Sequence, residues 1–108
     1  MVADGDVIGE GKTAFTVEVA QLDGTSITFT VNTDKETVGE ALLELGVVAG
    51  DTTEYGLYVT TVNGVTLDYN TDGAYWAFYI NGEYASTGVD ATNIEAGASY
   101  ALKAEKAA

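Results

Sequence analysis

The chain contains no cysteine, no histidine and no arginine, and each absence removes a class of function. Without cysteine there is no disulfide framework and no thiolate nucleophile. Without histidine or cysteine, covalent catalysis would need a lysine or a carboxylate as its base. Seventeen acids make some glycosidase-like carboxylate pair inevitable, so finding one carries no information. No glycine-rich phosphate cradle is present either, the glycines being scattered at turns. The expectation is a protein that is not an enzyme.

Basic residues are scarce as well. Four lysines face the seventeen acids, for a net charge of −13. Nucleic acid is excluded as a partner, because phosphate binding needs cations and no arginine fork is present. An anionic membrane surface would repel the chain. No run reaches the ~20 apolar residues of a membrane span, so direct insertion is not expected. Met1 is followed by Val-Ala-Asp-Gly-Asp, with neither the basic nor the apolar region of a secretory leader. Residues 1–12 read as a flexible linker or the remnant of a trimmed leader, and 13–106 as one domain. The 46% hydrophobic content suits a folded domain and is too high for a disordered tail.

What the chain has in excess is aromatic surface in one place. The stretch Tyr69 to Tyr84 holds six of its eleven aromatic residues. Such rings give large contact area at low entropic cost and are enriched where proteins grip partners. Alternation along this stretch puts Trp76, Phe78 and Ile80 on one face, as core material, and Tyr75, Ala77 and Tyr79 on the other. The tyrosines read equally well as exposed β-formers or as a binding platform.

The remaining elements follow from period and punctuation. Phe15, Val17 and Val19 alternate with polar residues, Asp23-Gly24 marks a hairpin, and Ile27, Phe29 and Val31 line the return strand. Val38, Ala41, Leu42 and Leu45 then fall at i, i+3, i+4 and i+7, predicting an amphipathic helix over about Thr37 to Leu45. Thr37 and Glu40 form a capping box, and Gly46 stands where a C′ glycine would end the helix. Asp51 to Glu54 reads as a polar link. Strands are expected over Tyr55–Val62, Val65–Leu67, Tyr75–Ile80, Glu83–Ala85 and Ser99–Lys103, with Asn63-Gly64 and Asn81-Gly82 as turns. Hairpin, helix, then strands suits an α+β domain of β-grasp type, one helix packed on a mixed sheet built from hairpins.

Two local constellations invite chemistry. Asp68-x-Asn70-x-Asp72-Gly73 matches the first half of a calcium loop, but Tyr79 stands where the closing glutamate should be, so a polar turn is preferred and no metal site is expected. Lys103 could enter an intramolecular isopeptide bond, though nothing marks a partner.

Thr37-Val38-Gly39-Glu40-Ala41-Leu42, Val62-Asn63-Gly64, Tyr75-Trp76-Ala77-Phe78-Tyr79-Ile80-Asn81-Gly82 and Ser86-Thr87-Gly88-Val89 together resemble the transcobalamin-like C-terminal domain. That β-grasp module occurs in secreted or lipid-anchored proteins of Gram-positive bacteria. It is also the lid of transcobalamin and intrinsic factor, which clasp a corrinoid against a helical barrel. The resemblance spans about residues 14–104 and implies a non-enzymatic, extracellular or cell-surface ligand-binding module. The implied ligand is cobalamin or another corrinoid, held non-covalently by Tyr75, Trp76, Tyr79, Tyr84, Ser86, Thr87, Gly88 and Val89. No helical barrel is present, so a lid-type half-site and weak binding are expected, and a monomer. The competing expectation is a protein- or glycan-contact module, or a partner surface domain, met by the same tyrosine face.

Overall fold

A computed structural model describes residues 2–54, 56–85 and 88–106. It shows an α+β fold with two sheets: a six-stranded sheet in the order β1-β3-β2-β9-β7-β8 and a three-stranded sheet β4-β5-β6. The strands are β1 Val7–Ile8, β2 Thr13–Ala20, β3 Ser26–Thr33, β4 Val48–Thr53, β5 Gly56–Val62, β6 Val65–Thr66, β7 Ala74–Ile80, β8 Glu83–Tyr84 and β9 Ser99–Lys106. Helices α1, Val38–Glu44, and α2, Tyr69–Asp72, and a 3-10 turn at Val89–Ala91 complete it.

β2 and β3 pair antiparallel, with Phe15 opposite Val31 and Val17 opposite Phe29. β9 enters parallel beside β2, Val17 against Tyr100 and Val19 against Leu102, which makes the sheet mixed. Phe15, Val17, Val19, Phe29, Val31 and Leu102 are almost wholly buried on its inner face. Within the opening residues, Val7–Ile8 lies parallel to β3 at the sheet edge.

Helix α1 seats Val38, Ala41 and Leu42 in the core, each 0% exposed, and Leu45 packs beside them. Its start is fixed as the sequence dictates: the Thr37 hydroxyl accepts from the Glu40 N–H at 3.2 Å. Its end is a Schellman motif. Gly46 N–H donates to the Leu43 carbonyl at 3.1 Å, and Val47 N–H donates to that of Leu42 at 2.9 Å. Gly46 takes φ +73°, which a side chain would resist.

Both Asn-Gly turns form as expected. Asn63 and Gly64 have φ 49° and 84°, Asn81 and Gly82 have 50° and 86°, the two positive angles of a type I′ hairpin. One expectation fails. The polar link at Asp51 to Glu54 is largely strand: Asp51 to Thr53 complete β4, with Asp51 opposite Tyr58 and Thr53 opposite Gly56. β4 is exposed from Ala49 onward and bulges between Ala49 and Gly50, so it shows no hydrophobic alternation to read. The single sheet expected is accordingly two.

The calcium-like segment is a capped single turn. The Asp68 carboxylate accepts from Asn70 and Thr71 N–H groups at 2.8 and 3.2 Å, and Asp72 returns the favour to the Asp68 N–H at 2.8 Å. Gly73 ends the turn in the left-handed region. Among the described residues no three acidic side chains gather into a group able to hold a metal ion.

Candidate functional site

The pleat of β7 distributes the expected ligand residues over two faces. Tyr75 and Tyr79 point away from the core, opposite Glu105 and Ala101 of β9. Tyr84 stands opposite Tyr79 from the edge strand β8, ring centroids 5.5 Å apart and edge-on. Tyr69, at the start of α2, reaches Tyr75 at 6.4 Å. Lys103 Nζ lies 4.8 Å over the Tyr79 ring, an intramolecular cation–π contact. The Tyr79 hydroxyl donates to the Glu105 carboxylate. That bond, then burial and the Glu105 charge, push the Tyr79 phenol up to about 12. Burial, then Tyr84 and Glu105, raise the Tyr75 phenol above its ordinary range.

Trp76 faces the other way. It is 7% exposed and belongs to the core with Phe78 and Tyr100. Val89 is 2% exposed, so it too is a core side chain rather than a surface contact. Neither offers a free ring or face to stack on. They contribute instead to the wall of a groove of about 170 Å³ where β5 of the small sheet meets β7 and β9 of the large one. Leu57, Tyr58 and Val59 line one side; Trp76, Phe78 and Leu102 line the other; Tyr84, Ala85, Gly88 and Val89 complete it. The structure thus brings Trp76, Gly88 and Val89 together, with Tyr84 bordering the groove while its ring packs on Tyr79, and leaves Tyr75 and Tyr79 on the opposite face. Ser86 and Thr87 lie outside the described residues.

One residue of the groove wall carries a polar anomaly. Trp76 Nε1 is buried and has no hydrogen-bond partner, the one buried side-chain polar atom in that state among the described residues. A buried donor without an acceptor costs about 1–3 kcal/mol, so natural cores seldom keep one.

Asp90, which the sequence did not single out, sets the groove's floor plan. Its carboxylate accepts from the Leu57 N–H at 2.9 Å, tying β5 to the 3-10 turn that carries Val89. Gly56 permits this: a Cβ there would lie 2.7 Å from the carboxylate, and φ is +111°. The only sequence signal was a glycine on the far side of a strand, which points to close approach but not to its partner.

Among the described residues no helix is long and apolar enough to cross a membrane. No curated protein matches the chain. A crystal structure of a presumed metal binding protein from Ruminococcus gnavus ATCC 29149 is 31% identical, with a TM-score of 0.84 over 90% of this chain and 100% of that one. Haptocorrin in complex with Cbi (cobinamide) superposes with a TM-score of 0.64 at 18% identity, over 89% of this chain. The chain spans only 25% of the haptocorrin chain, and at that identity the likeness is one of fold. The sequence pattern of one family matches residues 35–105, two thirds of the chain, and this protein belongs to it: the family described as Domain of unknown function (DUF4430).

Proposed function

We propose that the domain is a non-enzymatic ligand-binding module of an extracellular or cell-surface protein, with a corrinoid as its ligand and the groove between β5 and β7 as the contact. The observation that carries this reading is the convergence of Trp76, Gly88 and Val89 on one groove, with Tyr84 at its border. The fold likeness to haptocorrin, a protein crystallised with Cbi, supports the ligand class. With no histidine in the chain, no imidazole reaches the cobalt, and affinity rests on surface contact. A groove of about 170 Å³ holds a fraction of so large a ligand. The domain therefore works as one half of a site, the other half supplied by a neighbouring domain.

Calorimetry and chemical-shift mapping with cobalamin and cobinamide test the proposal. Shifts confined to Trp76, Tyr84, Ala85, Gly88 and Val89 are the expected result, with weak affinity for the isolated domain. A folded domain that shows no perturbation at millimolar ligand would instead favour the second reading, a protein- or glycan-contact surface. That reading draws on the solvent-facing tyrosines, of which Tyr84 is 64% and Tyr69 54% exposed.

A further inference from the structure

We propose that the Trp76 indole N–H is the anchoring donor of the β5–β7 groove, and that it takes a carboxamide carbonyl of the bound molecule. The inference rests on the ligand-binding reading and specifies its chemistry.

Three observations lead there. First, Trp76 is 7% exposed and sits in the core, so its ring faces are covered and cannot serve a flat ligand by stacking. What remains for recognition is the ring's one polar atom, a donor with no acceptor function. Second, that atom has no partner, while the neighbouring buried aromatic, Tyr100, has its hydroxyl served by the Glu95 N–H at 3.1 Å. The fold satisfies polar atoms elsewhere in the same core and leaves this one unmet in a groove wall. Third, the groove measures about 170 Å³, below the 300–1,000 Å³ of sites that engulf a small molecule. It takes a side arm and not a whole macrocycle.

The walls select the arm. Leu57, Val59, Phe78 and Leu102 are aliphatic or aromatic and present no charge. A carboxylate arm would be desolvated without a cation, in a protein of net charge −13. A neutral amide carbonyl meets the donor at no such cost, its short alkyl stem against the apolar wall. The N–H is closed to water as the groove stands, so binding the arm requires a local adjustment of the groove wall.

The chain has a single tryptophan, so its indole gives one resolved N–H resonance in a nitrogen-15 spectrum. Cobinamide and N-methylacetamide are the probes, on the wild type and on Trp76→Phe, which keeps an aromatic ring and deletes the donor. Cobinamide should move the indole resonance downfield, and Trp76→Phe should bind it about three- to tenfold more weakly, the worth of one net hydrogen bond. Cobinamide binding with the indole resonance unmoved, or with equal affinity for Trp76→Phe, overturns the donor assignment and leaves the ligand-binding reading intact. If cobinamide does not bind at all, that reading falls, and the amide probe decides the donor separately. A saturable indole shift with N-methylacetamide upholds the assignment, and its absence overturns it. The wild-type titration stands whether or not Trp76→Phe folds.

Discussion

The Tyr79 hydroxyl of β7 donates to the Glu105 carboxylate of β9, while Lys103 from the same strand lies over the Tyr79 ring. Ionising this phenol would end the donation and set two anions side by side. Its pKa is pushed up to about 12, with the Glu105 hydrogen bond as the leading cause. The folded value exceeds the unfolded one near 10, so the contribution to stability is complete below pH 10 and is lost as pH climbs toward 12. Phenolate absorbance titration of Glu105→Gln should show one tyrosine returning toward the ordinary range. A high-pH class unchanged in that variant would mean that Glu105 is not the cause.

Leu42→Ala should cost about 2–5 kcal/mol, since the side chain is 0% exposed at the centre of the α1 contact. Chemical denaturation measures this directly. An unshifted midpoint would show that the helix face is not the one buried.

Gly39→Ala sets two effects against each other. Replacing glycine within a helix gains about 0.8–1.0 kcal/mol of propensity. The new Cβ, however, would stand 2.8 Å from the Asp90 backbone N and Cα, where no flexible side chain can yield. Overpacking costs about 1–3 kcal/mol, so the variant should be less stable. Because Asp90 adjoins Val89, the amide resonances of the groove should shift with it, which a purely helical effect would not produce.

Asp68→Ala should lower stability by about 1 kcal/mol, through loss of the cap on α2, whether or not calcium is present. Thermal melts of the wild type with and without calcium should coincide. A melting temperature that calcium raises, and that Asp72→Ala makes insensitive to calcium, would identify a metal site in this turn.

The local features of this fold are legible in its sequence because their causes lie within a few residues. The capping box of Thr37 and Glu40, the C′ Gly46 and the two Asn-Gly turns each satisfy or permit a backbone geometry on the spot. Alternation likewise assigns Trp76 and Phe78 to one face and Tyr75 and Tyr79 to the other, as observed. Alternation says nothing about what covers each face, however, and so Tyr75 and Trp76, adjacent in sequence, read as one site while the pleat sets them back to back. Strand β4 escaped because it is polar and exposed along most of its length; its backbone pairs with β5, and backbone pairing leaves no trace in side-chain type. The groove was decided by tertiary structure alone. Its lining runs from Leu57 to Leu102, and it exists because Asp90 ties β5 to the turn beside β7. A contact between strands of different sheets depends on the packing of the whole chain, which no local pattern encodes.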